Sequence, residues 1–322
     1  MKIFEDKTKI TDRTYISEIS STDLFFDLET TGLSRRFCHI YMIGTGYISE
    51  DTFVIKLYFA EDITEERAII KAFIRDTREF ERLITYNGNR FDIPFFAERL
   101  KDLCIDFDLD SFESLDIYVR AKKLKSLLLL PGMKQKDIEH FLGISREDKY
   151  DGGKLIEVYK EYQIRPSDES EFLLMIHNKE DVIGMSKLLP ILAYEDLKNI
   201  DLKDIETEYT NGKLLFKASF HLDLPREIRI QNDEIYLIIG SNFIKGSLNV
   251  YDGYIKKYFP NYKDYLYHIA DKQIIPKVLV SKADKDKYRK ATKEECYIRI
   301  KAEDFNDNML RENIMSVIQN AY

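Results

Sequence analysis

The stretch Leu24-Phe25-Phe26-Asp27-Leu28-Glu29-Thr30-Thr31-Gly32-Leu33 limits most sharply what this chain can become. It opens as an apolar run of strand type, in which alternate side chains share a face, so Asp27 and Glu29 point the same way. Two carboxylates about 4 Å apart repel by roughly 4 kcal/mol at an effective dielectric near 20. A fold that keeps both ionised needs a counter-charge, and a divalent cation is the simplest one. An edge strand with two solvated acids is the ordinary alternative in a chain this acidic. The context argues against it: the acids follow Leu24-Phe25-Phe26, which seeks burial, and precede Thr30-Thr31-Gly32, which ends the strand. Charges at the exposed end of a buried strand are usually site residues.

A chain of 322 residues with 44% hydrophobic content has room for two domains, or one large one, around a substantial core. No run approaches the roughly 18 apolar residues of a membrane span. The N-terminus, Met1-Lys2-Ile3-Phe4-Glu5-Asp6-Lys7, has the character of neither a signal nor a transit peptide, so a cytoplasmic protein is expected. Cys38, Cys104 and Cys296 are odd in number and widely spaced, which predicts reduced, mostly buried thiols. The net charge of −8 at first opposes a phosphate-rich partner. It hides an asymmetry: residues 251–301 carry 13 basic and 7 acidic side chains, with eight tyrosines and one phenylalanine. Such a mixture suits a surface that meets a phosphate backbone and stacks bases. It equally suits a solvated lysine face over a tyrosine-rich sheet.

Along the chain, residues 1–22 read as a polar, extended arm. Strands are expected at Ile40–Ile48 and Phe53–Phe59, antiparallel to the first, and a helix over 64–80. A short strand, Leu83–Tyr86, ends at Asn87-Gly88, and an amphipathic helix follows Ile93-Pro94, with Asp92 at or near its N-cap. Capping is the ordinary role for an acid there. Helical patterns then run from Ile117 to Leu130, Met133 to Leu142, Lys154 to Tyr162 after the turn at Asp151, and Ser167 to Leu192. The last places His177 and Asp181 on one helix face. Residues 195–210 form an acidic linker candidate between a domain at 1–194 and another at 211–322. Beyond it come short β-like runs with turn signals and a closing helix from about Asp307 to Ala321, which predict a smaller, mostly antiparallel β domain.

Asp27-Leu28-Glu29, Asn87-Gly88-Asn89-Arg90-Phe91-Asp92 and His177-Asn178-Lys179-Glu180-Asp181 stand in an order that resembles the DEDD exonucleases of the RNase H-like superfamily. The likeness is closest to the proofreading domain of family B DNA polymerases. It extends to the YprB-like bacterial proteins through Glu139-His140-Phe141-Leu142-Gly143-Ile144, Arg146-Glu147-Asp148 and Asn178-Lys179-Glu180-Asp181-Val182. It covers about residues 22–192 and implies an α/β fold, an RNase H-like mixed sheet flanked by helices. By this resemblance Asp27 would touch two divalent ions, Glu29 and Asp181 would hold the first, and Asp92 would help hold the second. Leu33 would wedge against terminal bases, and Thr30, Asn87 and Phe91 would contact the substrate. The implied activity is 3′–5′ exonucleolytic hydrolysis of single-stranded DNA or RNA to nucleoside 5′-monophosphates.

Elementary chemistry reaches the same ions. Oxygen-only ligands select hard cations, so Mg²⁺ or Mn²⁺ is expected and Zn²⁺ is not. Two ions about 3.5–4 Å apart can activate a water and stabilise the leaving oxygen of a phosphodiester. His177 departs from the family, which has tyrosine at this spacing or histidine one residue further away. It is a candidate for orienting or deprotonating the attacking water, or else a core histidine. The alternative function is a catalytically weak nucleic-acid-binding protein that retains the nuclease fold. Nucleotide-binding loops (G-x-x-x-x-G-K-[ST], G-x-G-x-x-G) and the G-x-S-x-G and H-E-x-x-H motifs do not occur.

Overall fold

Alternation along one strand decides how the N-terminal part is layered. The computed structural model describes residues 1–9, 19–146, 152–281 and 286–321. It divides into two compact units, Met1–Lys122 with Leu130–Leu192, and Lys123–Leu129 with Ala193–Tyr322. In the first unit, β1 (Lys2–Lys9), β2 (Asp23–Thr30), β3 (Ile40–Ser49), β4 (Thr52–Phe59), β5 (Arg82–Thr85) and β6 (Glu113–Asp116) form one sheet of order β1-β4-β3-β2-β5-β6. The first four strands pair antiparallel, and β5 and β6 add on parallel to β2. This is the mixed, helix-flanked sheet that the resemblance implied.

Leu24, Phe26 and Leu28 of β2 face α1 (Glu66–Asp76) and α2 (Asp92–Asp102), packing with Ile69, Ile70, Phe73, Phe95 and Phe96 in one core. Phe26 meets Phe96 edge-on at 5.6 Å between ring centres. Arg99 of α2 donates twice to Glu66 of α1, each bond 2.7 Å, and Glu66 also accepts the Ile40 backbone N–H at 2.8 Å. That buried clamp holds α2, whose first residue is Asp92, against the sheet. After α3 (Ile117–Ala121) and α4 (Gln135–Leu142), α5 (Gly152–Ile164) and α6 (Asp168–Leu188) cover the other face. There Tyr41, Met42 and Phe59 pack with Leu155, Tyr159, Tyr162 and Leu174. Ser167 caps α6 by accepting the Ser170 N–H at 3.1 Å. The helix comes close because β3 offers no side chain at Gly44, where a Cβ would lie 2.0 Å from Asn178 Oδ1 and 2.9 Å from Val182.

The second unit holds β7 (Lys203–Thr210), β8 (Lys213–Ser219), β9 (Ile228–Gln231), β10 (Ile235–Ile239) and β11 (Phe243–Asn249) in an antiparallel sheet of order β7-β8-β11-β10-β9. Two small sheets follow, β12 (Tyr254–Tyr258) with β16 (Tyr297–Lys301), and β13 (Tyr265–His268) between β14 (Gln273–Pro276) and β15 (Tyr288–Lys290). α7 (Asp307–Ala321) closes the chain, and its buried Asn313 accepts the Tyr258 N–H at 2.8 Å. In the basic segment, Lys256 pairs with Glu234, Lys257 with Glu312 and Arg289 with Glu295, and Arg289 lies 4.0 Å over the Tyr267 ring. Among the described residues no helix is long and apolar enough to cross a membrane.

Several expectations need correction. The arm at 1–22 includes strand β1, which pairs along all of β4; residues 10–18, Glu147, Asp148 and Asp151 lie outside the described residues. The helix expected to reach residue 80 stops at Asp76, where the Thr77 hydroxyl donates to the Phe73 carbonyl at 2.8 Å. The helix expected to Leu130 stops at Ala121. Leu124, Leu127, Leu128 and Leu130 are buried from a 3-10 helix and turns, with Leu129 at a φ of 51°, so their apolar spacing reflects burial and not helical period. The supposed linker at 195–210 is a 3-10 segment, Leu189–Asn199, followed by β7. Its acids misled because an edge strand keeps charge on its solvated side chains. β6, β12 and β15 were not anticipated, and of the three thiols expected to be mostly buried Cys296 is buried, Cys38 half-buried and Cys104 exposed.

Gly44→Ala tests the close approach of α6. It should lower unfolding free energy by about 1–3 kcal/mol in chemical denaturation, the usual cost of overpacking; an unchanged midpoint would show that α6 moves aside freely.

Candidate active site

Each acid singled out in the sequence is tied through one of its oxygens to a donor from a different element. Asp27 Oδ2 accepts from Asn178 Nδ2 at 2.6 Å. Glu29 Oε2 accepts from the Tyr41 hydroxyl at 3.3 Å. Tyr41 reaches it through a bulge: Glu29 is paired with Met42 and Thr30 with Ile40, so Tyr41 is the extra residue of β3. Its ring stacks on Tyr159 at 4.0 Å. Asp92 is the first residue of α2, one past Phe91, which holds the N-cap position and makes no side-chain capping bond. Asp92 Oδ1 accepts the Leu28 backbone N–H at 3.2 Å, between the two acids of β2. Asp181 Oδ1 accepts from Arg146 Nη1 at 2.5 Å.

His177, buried on α6, completes the group. Its Nε2 lies 3.3 Å from Asp181 Oδ2 and 3.5 Å from Glu29 Oε1. Behind Asp181, Arg146 makes two further bonds to the buried Glu139, at 2.5 and 2.6 Å. Gln135 donates to Glu139 at 3.0 Å and to the Asp181 carbonyl at 3.1 Å. This cluster fits between α4 and α6 because position 184 is glycine; a Cβ there would lie 2.4 Å from Gln135 Nε2 and 2.5 Å from Glu139 Oε1. On the other side, buried Asp116 accepts the backbone N–H groups of Asn87 at 2.9 Å and Asn89 at 3.1 Å. That turn needs a φ of 63° at residue 87, a conformation asparagine tolerates better than most side chains.

The electrostatics follow from crowding. Burial, then the charges of Asp92, Asp181 and Glu29, hold the Asp27 carboxyl well above the usual range. Burial pushes Glu29 up to about 7 against the pull of His177, and Asp92 up to about 7 against its backbone hydrogen bonds. The four acids are therefore mutual neighbours with more negative charge than Arg146 and His177 offset. Glu29, His177 and Asp181 each place one ligand atom within 4.8 Å of the other two. A surplus of buried carboxylate oxygen with one imidazole nitrogen fits a divalent cation.

The remaining predicted residues are placed less uniformly. Thr30 is buried, and its hydroxyl donates to the Gly32 carbonyl at 2.8 Å, holding the turn after β2. Leu33 is 81% exposed on that loop, as is Phe37 at 76%. Arg35 joins the loop to the turn before α2 by donating to the Arg90 carbonyl at 2.5 Å. Phe91 is half-buried, 5.5 Å from the Phe95 ring. Tyr41, Gln135, Asp116 and Phe37 were not singled out in the sequence, and Glu139, Arg146 and Asn178 carried the family resemblance without being given a role. Besides that resemblance, the signals were the glycines inside β3 and α6, which mark places where another element must come close.

Residues 24–193 match the RNase_H_2 family model of the RNase_H superfamily. The match spans more than half of the chain, which belongs to that superfamily. Among solved structures, the family B DNA polymerase of the hyperthermophilic archaeon Pyrobaculum calidifontis is 13% identical, with a TM-score of 0.44 over 93% of this chain and 46% of the polymerase chain. This chain thus spans about half the length of that polymerase. A product-bound exonuclease I is 12% identical, with a TM-score of 0.35 over 93% of this chain and 70% of its own. The zinc-bound E. coli exonuclease I complex with single-stranded DNA is 13% identical, with a TM-score of 0.31 over 92% and 69%. No curated protein matches the sequence.

The raised carboxyls make a pH prediction. Glu29 and Asp92 bind protons more tightly folded than unfolded, so between roughly pH 4 and pH 7 the native state carries more protons and stability falls as pH rises. In chelator-treated protein, denaturation free energy should drop by a few kcal/mol (order of magnitude) from pH 5 to pH 8. Asp92→Asn should flatten the slope. A rise in stability over that window would contradict the crowding.

Proposed function

We propose that this protein is a metal-dependent 3′–5′ exonuclease whose catalytic domain spans residues 1–194 and whose substrate is single-stranded DNA or RNA. What supports it is that Asp27, Glu29, Asp92 and Asp181 lie close enough on a superfamily sheet to act on one another's charge, with Glu29 and Asp181 drawn together beside His177. A mere scaffold gains nothing from carboxylates that raise one another's pKa. Two divalent ions held by Asp27, Glu29, Asp92 and Asp181 would supply positive charge to a phosphodiester and acidity to a water molecule. The chain's own contribution is orientation. Asn178, Tyr41, Arg146 and the Leu28 N–H set which carboxylate oxygens face inward. Leu33 and Phe37, each exposed on the loop after β2, offer apolar surface for a terminal base, and the turn from Asn87 to Phe91 borders the same loop through Arg35. The products are nucleoside 5′-monophosphates.

One observation favours the weaker reading, a nucleic-acid-binding protein with little turnover. Arg146 and His177 together address both oxygens of Asp181, so a cation must compete for that carboxylate. End-labelled DNA and RNA oligonucleotides, incubated with and without Mn²⁺, separate the two. The nuclease releases mononucleotides only with the ion, and Asp27→Asn lowers the rate by about 10²–10⁴, since a lost Lewis-acid contact is worth several kcal/mol. Full turnover in Asp27→Asn would assign the activity elsewhere. Salt-dependent binding indifferent to Mn²⁺, with no product, would select the binder.

A further inference from the structure

We infer that His177 is a direct nitrogen ligand of the ion held by Glu29 and Asp181, which makes this position selective for borderline transition ions over Mg²⁺. The inference rests on reading these carboxylates as a metal site and changes the chemistry expected of it, from an oxygen-only set to one imidazole with two carboxylates.

Distances carry the argument. A charge-assisted N–H···O bond runs about 2.7–2.9 Å. Hydrogen bonds to the four acids run from 2.5 Å for Arg146 to Asp181 and 2.6 Å for Asn178 to Asp27 up to 3.2 Å for the Leu28 N–H to Asp92 and 3.3 Å for Tyr41 to Glu29. His177 Nε2 lies 3.3 Å from Asp181 Oδ2 and 3.5 Å from Glu29 Oε1, nearly equidistant from one oxygen of each acid, and one ligand atom from each of the three residues falls within 4.8 Å of the others. Donor atoms about 2.0–2.2 Å from a common ion are themselves roughly 3.0–3.5 Å apart, the edges of a coordination polyhedron.

The outer contacts point the same way. Tyr41 holds Glu29 by Oε2 and Arg146 holds Asp181 by Oδ1, so Oε1 and Oδ2 are the atoms turned toward the imidazole. Second partners of this kind orient metal ligands. His177 and Asp181 are also one helical turn apart, a spacing that lets two side chains of one helix reach a single ion, as in the H-E-x-x-H sites. Imidazole suits Zn²⁺, Fe²⁺ and similar ions and gives Mg²⁺, which seeks oxygen, no advantage.

The test uses the full chain loaded with Mn²⁺ and read by pulsed electron paramagnetic resonance. Nitrogen modulation from a coordinated imidazole should appear, convert to the ¹⁵N pattern in protein grown with ¹⁵N-histidine, vanish in His177→Gln and persist in His268→Gln. Calorimetry should show Mn²⁺ binding to His177→Gln weakened by about tenfold or more, and Mg²⁺ binding weakened less. If His177→Gln does not fold, His177→Asn carries the same comparison. Bound Mn²⁺ without nitrogen modulation, modulation that survives loss of His177, or no Mn²⁺ binding would each overturn the inference. Oligonucleotide hydrolysis measured on the same preparation keeps the outcomes apart. Turnover without nitrogen coupling removes the ligand and leaves the nuclease; nitrogen coupling without turnover does the reverse.

Discussion

Repulsion among Asp27, Glu29, Asp92 and Asp181 is the constraint from which the rest of the N-terminal unit follows. Left alone, buried carboxylates this close would turn outward or take up protons; burial first, and the neighbouring acids after it, push Glu29 and Asp92 up to about 7. The fold resists by giving each acid one donor from a different element: a helix amide for Asp27, a bulged tyrosine for Glu29, a strand N–H for Asp92 and a buried guanidinium for Asp181. Every donor bond leaves the acid oriented and still short of positive charge. A cation completes such an arrangement better than any further side chain.

Bringing those donors in required exceptions to ordinary strand and helix packing. β3 gives up a side chain at Gly44 so that Asn178 can approach, and takes an extra residue at Tyr41 so that a hydroxyl points where alternation would not send it. α6 gives up a side chain at Gly184 to admit Gln135, Glu139 and Arg146. The buried Arg146–Glu139 pair is weak evidence for stability, because desolvation offsets much of the attraction. Its geometry makes better sense as a support that fixes Asp181.

Much of this was legible in the residues. The strand at 24–30 and the helices around 93–102 and 168–188 follow from period, caps and turn residues, because one buried stripe dictates them. Alternation alone put Asp27 and Glu29 on one face. What could not be read was whatever depended on the third dimension or on solvent. The edge strand at 203–210 resembles a linker because its charges are solvated, and the leucines from 124 to 130 imitate a helix because they are buried. Capping was the ordinary role for Asp92 and metal holding the one the resemblance implied; that its oxygen crosses to Leu28, a partner 64 residues away, could not be read from local sequence. The bulge at Tyr41 leaves no mark in local composition.

The most direct measurement is an anomalous difference map from crystals soaked in Mn²⁺. The account predicts density within about 2.0–2.6 Å of carboxylate oxygens from Asp27, Glu29 and Asp181, with Asp92 turned to the same place. Crystals that take up the ion elsewhere, or that show any of the four carboxylates directed away from the others, would contradict it.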